Sequence, residues 1–530
     1  MEQRREIGPL IAGVGVALAA YSAKLLVEAA SSGQMQAAMK DAANAASSAA
    51  NAASSAASSA AASAKSAASS ARRRGAATAA AQDYDDEPSS RSSMDSYFTT
   101  DVMGVDLGQG AKAWSGACAA IVEGGSPRVV ENAQGQRATP SVVTFTDGGE
   151  VLVGQPAKKL LFAKNATPVD ISTRLLGLPY DSDELKEMES SGLFGRLEVA
   201  SDSATGNAVV KVLGVSHKPE ELSSRLLSTL KESAEAALGN RKIVSAVVGA
   251  PVLSSEATHN AIIAAGRRAG EQQQPQHNQT EPQHTSHTPL LFFASGLSSV
   301  HLIDAPIAGV SAAATELSDL DSCRTLGVYD LGGGAFSFSV LTRPSAGTDH
   351  NEWSVAGASK VPLLGGELFD AAIVEDLVKG FESEHGINLS NDHLALQRLY
   401  EAAENAKLEL ATAHQADISL PFITADMSGP KHLEAALSRA KFNSLAEPLL
   451  QRGTPTCDEA LSLASLSKGS LDAILMIGGS ARLHVVSEHA ASVFGSGLPL
   501  MKTARPEESV ALGAAVVAAR MQEEEFKSYG

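Results

Sequence analysis

The stretch LGVYDLGGG, from Leu326 to Gly334, is an apolar strand that ends in an acid and a glycine turn. Residues 102–110, VMGVDLGQG, show the same arrangement earlier in the chain, and residues 473–480, AILMIGGS, contain a third strand followed by glycines. Glycines after a strand let backbone N–H groups approach phosphate oxygens closely, and a carboxylate at the strand end can hold a hydrated divalent cation. The repeat therefore predicts two related lobes that close on a nucleotide.

The sequence around these turns alternates between short β-rich runs and helical patterns from about residue 101. Examples are VSAVVGAP at 244–251 and the helical pattern GELFDAAIVEDLVKGF at 366–381. Such alternation predicts an α/β protein. The formal net charge of -18 argues against general nucleic-acid binding, which needs a basic face, and the three cysteines show no metal-ligand spacing.

Two segments of different composition precede the α/β region. Residues 1–35 contain the membrane-anchor candidate IGPLIAGVGVALAAYSAKLLVEAA, at 7–30. Because a membrane span needs about 20 apolar residues, Lys24 would have to reach toward the interface. A removable targeting segment or an amphipathic surface helix is the alternative. Residues 36–100 are rich in Ala and Ser and predict a low-complexity linker, although this bias also suits an organelle transit peptide.

The chain from about 101 to 521 resembles the nucleotide-binding domain of the 70-kDa heat-shock chaperones of the DnaK type, which has the actin-like ATPase fold. The matching stretches are VMGVDLG, VVENAQGQRATPSVVTF, VGQPAKK, YDLGGGAFSFSVL, LLGGELFD, AAENAKLELA, LMIGGSARL and PEESVALGAA. The resemblance implies an α/β fold with two lobes around a nucleotide cleft. We assign lobe I to 101–318 with a loop insertion at 271–288, lobe II to 319–521, and a charged tail to 522–530. We expect no substrate-binding domain.

Two further resemblances bear on location. The stretch HLALQRLYEAAENAKLELATA, from His393, is similar to the bacterial and mitochondrial (mortalin) branch of the family. The N-terminal PLIAGVGVALAAYSAK also resembles the membrane anchor of the J-protein of the mitochondrial import motor. Together they predict a mitochondrial protein associated with the inner membrane. A chloroplast or the endoplasmic reticulum stays the alternative.

The chain departs from the family at positions to which the resemblance assigns catalysis. Gln109 stands where the first phosphate turn carries a threonine, and Thr173 replaces the catalytic lysine. Ala305 replaces a glutamate that works beside the metal, while Ala335 and Ser337 replace a threonine and an aspartate of the second turn. Removing one preorganised stabilising group typically costs about 10²–10³ in rate, so we predict a pseudo-ATPase.

Nucleotide binding is a separate prediction from hydrolysis. The resemblance implies ATP or ADP with Mg²⁺ in the cleft. Asp106 and Asp330 remain to hold the cation through water. The remaining residues that would contact the nucleotide are Gly108, Gly333, Gly334, Glu404, Lys407, Gly479, Ser480 and Arg482.

Three hypotheses about function stay open. The first is a membrane-tethered pseudo-ATPase that acts as a scaffold or regulatory partner in an organellar chaperone, import or membrane complex. Its partners would be a J-protein, a nucleotide-exchange factor or subunits of the complex. The second is a slow active ATPase that assists folding or import, in which Gln109, Ser337 or an ordered water replaces the missing groups. The third is a structural subunit that binds no nucleotide.

Overall fold

The computed structural model describes residues 101–108, 116–170, 173–191, 194–195, 197–269, 296–344 and 353–529, which all belong to one compact unit at 91–530. The predicted anchor at 7–30, the linker at 36–100, the loop insertion at 271–288 and Gln109 lie outside the described residues. Within the described ranges, no helix combines the length and the apolar character that crossing a bilayer requires.

The described chain alternates between strands and helices, as an α/β protein should. The strands are β1 Val102–Asp106, β2 Cys118–Glu123, β3 Ser126–Val129, β4 Val143–Thr146, β5 Val151–Val153, β6 Ala166–Val169, β7 Glu198–Ser201, β8 Ala208–Val212, β9 Val215–His217, β10 Ser245–Ala250, β11 Ser299–Asp304, β12 Thr325–Leu331, β13 Phe336–Thr342, β14 Ser354–Val361, β15 Gln415–Asp426, β16 Gly429–Ser438, β17 Ala473–Ile477 and β18 Leu500–Lys502. The α-helices are α1 Gln155–Lys158, α2 Asp183–Ser190, α3 Pro219–Ala237, α4 Glu256–Arg268, α5 Ala305–Ala313, α6 Gly366–His385, α7 His393–Leu410, α8 Arg439–Leu450, α9 Thr454–Leu463, α10 His484–Phe494 and α11 Ser509–Tyr529.

Two five-stranded sheets of the same topology form the centre of the described structure. The strand order is β11-β10-β1-β2-β3 in the first sheet and β18-β17-β12-β13-β14 in the second. In each sheet, the strand before the predicted glycine turn (β1 or β12) pairs antiparallel with the next strand and parallel with a later one. The repeat predicted from the two Asp-Leu-Gly stretches is therefore a repeat of strand topology.

The central strands of the second sheet are buried on both faces. All five residues of β17 are buried, and in β12 only Thr325 and Asp330 keep partial exposure. One face packs against α5, and the other joins the large core of the second lobe through Tyr329 and Met476. Because packed elements cover both sides, the sequences LGVYDL and AILMI carry no alternating polar positions.

Helices α5 and α11 cross each other between the two sheets. Helix α11 packs on β1, β2 and β10 although it follows the second sheet in sequence, and α5 packs on the second sheet, where Gly309 lies against Ile477. A Cβ on Gly513 would lie 1.7 Å from the carbonyl oxygen of Ala308, so only glycine allows this crossing. The final helix of the predicted second lobe thus lies on the first sheet.

Smaller units surround the two central sheets. The three-stranded sheets β5-β4-β6 and β7-β8-β9 share a core with α2 and α3, and the hairpin β15–β16 packs on α7. Local sequence signals set the ends of the helices in this region. The Asp392 carboxylate accepts hydrogen bonds from the backbone N–H groups of Leu394 and Ala395 at the start of α7, and Gly386 ends α6 with φ +70°.

Candidate functional site

Glycine turns from both central sheets line one cleft of about 280 Å³. Asp106 and Gly108 come from the end of β1, Asp330 and residues 332–334 from the end of β12, and residues 478–479 from the end of β17. The three strand-turn units that the sequence analysis singled out therefore meet in one place. Equivalent strand ends of the two central sheets thus form this cleft.

The backbone of these turns requires glycine at particular positions. Gly108 has φ +59° and donates its N–H to Oδ1 of Asp106 over 2.9 Å. Gly478 has φ +84°, and a Cβ on it would lie 2.5 Å from the carbonyl oxygen at the end of β12. Gly365 packs so closely on the second turn that its Cβ would lie 2.5 Å from the carbonyl carbon of Gly333. These close approaches keep the turns free of side chains, as a phosphate site needs.

Asp106 and Asp330 are partly buried and line the same cleft. Burial raises the pKa of Asp106, and burial together with the charge of Asp106 raises the pKa of Asp330 to about 7. The raised pKa values show that the protein alone stabilises the two negative charges poorly. Two carboxylates that need a positive charge fit a hydrated Mg²⁺, which keeps several of its waters. The described residues contain no group of three or more His, Cys, Asp or Glu that could hold a metal.

The four described positions at which the chain departs from the chaperone pattern all line this cleft. They are Thr173, Ala305, Ala335 and Ser337. The buried Oγ1 of Thr173 has no hydrogen-bond partner, and Ala335 presents only a methyl group. None of the four side chains carries a charge. These positions therefore supply neither a cation nor a carboxylate to a bound phosphate.

Lys407 and Ser480, which the sequence analysis assigned to the nucleotide, are held by protein groups. Lys407 Nζ lies 2.7 Å from Oδ1 of Asp370 and donates to the carbonyl oxygen of Gly366 over 2.9 Å. Ser480 donates its hydroxyl to the carbonyl oxygen of Gly332 over 2.9 Å. Ser480 thus fixes the third glycine turn against the second, whereas Lys407 joins α7 to the start of α6. A direct contact of either residue with a nucleotide stays a prediction.

Glu404, also assigned to the nucleotide, lines a second cavity of about 480 Å³ that shares Gly116 and Glu507 with the first. Lys158 Nζ donates to Oε2 of Glu404 over 2.8 Å, which joins the first lobe to α7 of the second. Arg482 Nη1 donates to Oε1 of Glu507 over 2.8 Å and lines neither cavity. The two cavities therefore adjoin each other at Gly116 and Glu507.

Two ion pairs near the site were not predicted from the sequence. Arg137 donates through Nε and Nη2 to both carboxylate oxygens of Glu508, at 2.5 and 2.7 Å. Lys360 Nζ lies 3.2 Å from Oε2 of Glu184, and both residues line the first cleft. The partners are 371 and 176 residues apart, so no local pattern reveals them. The one sequence signal for Lys360 was a lone charge in the stretch VAGASKVPLL.

The part of the chain that forms the cleft matches a known protein family. The family model described as Hsp70 protein matches residues 102–274 and 293–527. These ranges begin at β1, end within α11 and include both central sheets and the described residues of the cleft. The match therefore covers the whole α/β region rather than a single motif.

Proposed function

The chain belongs to the Hsp70 family, and we propose that it is a membrane-tethered pseudo-ATPase. The family match supports a chaperone-like ATP-binding protein with an actin-like ATPase fold. The proposal goes further and states that the cleft binds ATP or ADP with Mg²⁺ while it hydrolyses ATP at most very slowly. The nucleotide would then stabilise a conformation and would not drive a cycle.

The observation that carries this proposal is the composition of the cleft. The glycine turns and the paired carboxylates Asp106 and Asp330 line the cleft. The side chains at 173, 305 and 335 line it as well, and they are uncharged. Hydrolysis of a terminal phosphate depends on charge stabilisation around that phosphate. Each missing stabilising group typically costs about 10²–10³ in rate, and several are missing from one site.

Binding places fewer demands on the same residues. Asp106 and Asp330 would hold Mg²⁺ through water, and the cation would neutralise charge on the phosphates. The turn at Gly108 and the turn at 332–334 would bring backbone N–H groups to the phosphate oxygens. Thr173 can donate or accept a hydrogen bond but cannot stabilise developing negative charge as a lysine does. The chain thus keeps groups for binding and lacks groups for hydrolysis.

We further propose that the domain acts as a scaffold or regulatory partner in an organellar chaperone, import or membrane complex. J-proteins and nucleotide-exchange factors commonly interact with members of the Hsp70 family, which makes them and subunits of the complex the candidate partners. The resemblance of residues 7–30 to a membrane anchor supports tethering to the mitochondrial inner membrane. Fractionation of cells that express the tagged full chain would separate this location from a chloroplast or the endoplasmic reticulum.

The first test is a thermal-shift titration of the full chain with ATP and ADP, with and without Mg²⁺. A ligand at 100 times its dissociation constant stabilises the folded state by about 2.7 kcal/mol, which is readily measured. We expect a clear shift and no single-turnover hydrolysis above the rate in buffer. A shift with measurable hydrolysis would favour the slow ATPase. No shift at millimolar nucleotide would leave the structural subunit.

A further inference from the structure

A row of three side chains crosses three neighbouring strands of the second sheet. Asp330 in β12 lies directly opposite Ser337 in β13, and Ser337 lies directly opposite Lys360 in β14. Residues directly opposite each other on adjacent strands project from the same face of a sheet. All three line the first cleft. The lysine therefore stands in register with the Asp330 carboxylate near the end of β12.

The ammonium group of Lys360 also meets the opposite lobe. Its Nζ lies 3.2 Å from Oε2 and 3.4 Å from Oε1 of Glu184, a residue of α2 in the first lobe. The two side chains are 31% and 27% exposed, so water reaches the pair. A partly hydrated pair at this distance contributes little by itself and can exchange partners. A dianionic phosphate would compete well with a single carboxylate for this ammonium group.

The other cation of the cleft is held more tightly. Arg174 stands beside Thr173 on the first lobe, and its guanidinium forms an ion pair with Glu367. Its side chain is only 4% exposed, against 31% for Lys360. Among the described residues that line the first cleft, Arg174 and Lys360 are the two with a lysine or arginine side chain. Lys360 is the more accessible of the two.

We infer that Lys360 binds the terminal phosphate of the nucleotide and that Glu184 competes with this phosphate for the lysine. The inference rests on the proposed function, because it needs a nucleotide in the cleft. It assigns a phosphate-binding cation to the second lobe, while position 173 on the first lobe carries none. It concerns binding alone and includes no bond-breaking step. Lys360 would distinguish ATP and ADP from ligands without terminal phosphates.

The test measures binding of ATP, ADP and adenosine to the full chain and to the variants Lys360→Met and Lys360→Arg. A charge-assisted hydrogen bond to phosphate predicts that Lys360→Met weakens ATP binding about tenfold to a hundredfold. Adenosine binding should stay unchanged, and Lys360→Arg should keep most of the affinity for ATP because it keeps the charge. The matched control is Lys379→Met, which removes the partner of Glu375 on the exposed face of α6.

Glu184→Gln distinguishes a phosphate contact from a purely structural link between the lobes. If Glu184 competes with the phosphate, this variant should bind ATP about two- to fivefold more tightly, as expected when a partly exposed ion pair is released. If the ion pair only holds the lobes together, the variant should bind ATP more weakly, and the inference would be wrong. Unchanged ATP affinity in Lys360→Met would also overturn it. Failure of the unmodified chain to bind any of the three ligands would instead refute the proposed function.

Discussion

The free energy of unfolding of the nucleotide-free protein should fall as the pH rises from about 4 to 7 because of Asp330. The pKa of this carboxyl group is raised from 3.8 to about 7 by its burial and by Asp106. Across this interval the folded state keeps a proton that the unfolded state has released. Stability is therefore lost as the pH rises, and the loss is complete above about pH 7.

The structure sets the size of this effect. A shift of about 3 pKa units at about 1.36 kcal/mol per unit gives a penalty of about 4 kcal/mol above pH 7. This is an upper limit, because Asp330 keeps some contact with the water of the cleft. Asp330→Asn removes the charge and keeps the shape. We expect the variant to exceed the unmodified protein in stability by about 1–4 kcal/mol at pH 8 and by little at pH 4.

Thermal and urea unfolding of the full chain in EDTA, between pH 4 and 8, measures this difference. Asp147→Asn, at an exposed position, is the matched control and should follow the unmodified protein. Addition of Mg²⁺ with ATP at pH 8 should stabilise the unmodified protein more than Asp330→Asn. If Asp330→Asn and the unmodified protein differ in stability by the same amount at pH 4 and at pH 8, the reasoning is refuted.

Three further sets of substitutions test the packing of the fold and the chemistry of the cleft. Gly513→Ala should lower the free energy of unfolding, measured in urea, by about 3 kcal/mol, because the new Cβ would meet the Ala308 backbone. Gly497→Ala is the control and should be neutral, because a Cβ there meets no atom within 4 Å. Arg137→Ala should cost about 2–3 kcal/mol by chemical denaturation, since it leaves the carboxylate of Glu508 buried with only Arg505 at 3.4 Å; an unchanged unfolding midpoint would contradict this. Thr173→Lys combined with Ala335→Thr should raise single-turnover ATP hydrolysis to at least about tenfold above the rate in buffer, because it restores charge stabilisation to the cleft. A rate equal to that of the unmodified protein would contradict this.

The central fold could be predicted because its signals are local. The strand and turn around Asp330 repeat those around Asp106, and that repeat predicted that the turns meet in one cleft. A glycine with a positive φ, such as Gly108 or Gly478, leaves a mark in the sequence because other residues are strained there. The candidate residues at these turns could therefore be predicted from the sequence.

The charged contacts could not be predicted because they depend on long-range register. Lys360 reaches the cleft only because β14 pairs with β13 in one register, which shifts at a bulge between Val340 and Leu341. Its partner Glu184 lies in a different lobe. Likewise, the sequence marked Lys407 as a charged residue on a helix but gave no sign that Asp370 holds it in the interior. Such partners become known only when the sheets and helices are in place.

The contact between α5 and α11 lies next to the cleft. At Gly513 the backbone of α11 lies against the carbonyl group of Ala308 with no side chain between them. Ala305 and Val510, from these same two helices, line the cleft. Each of these residues lies three positions from the contact, so a ligand there touches both helices beside the point at which they meet. A substitution that spreads the two helices at Gly513 should therefore also change the shape of the cleft.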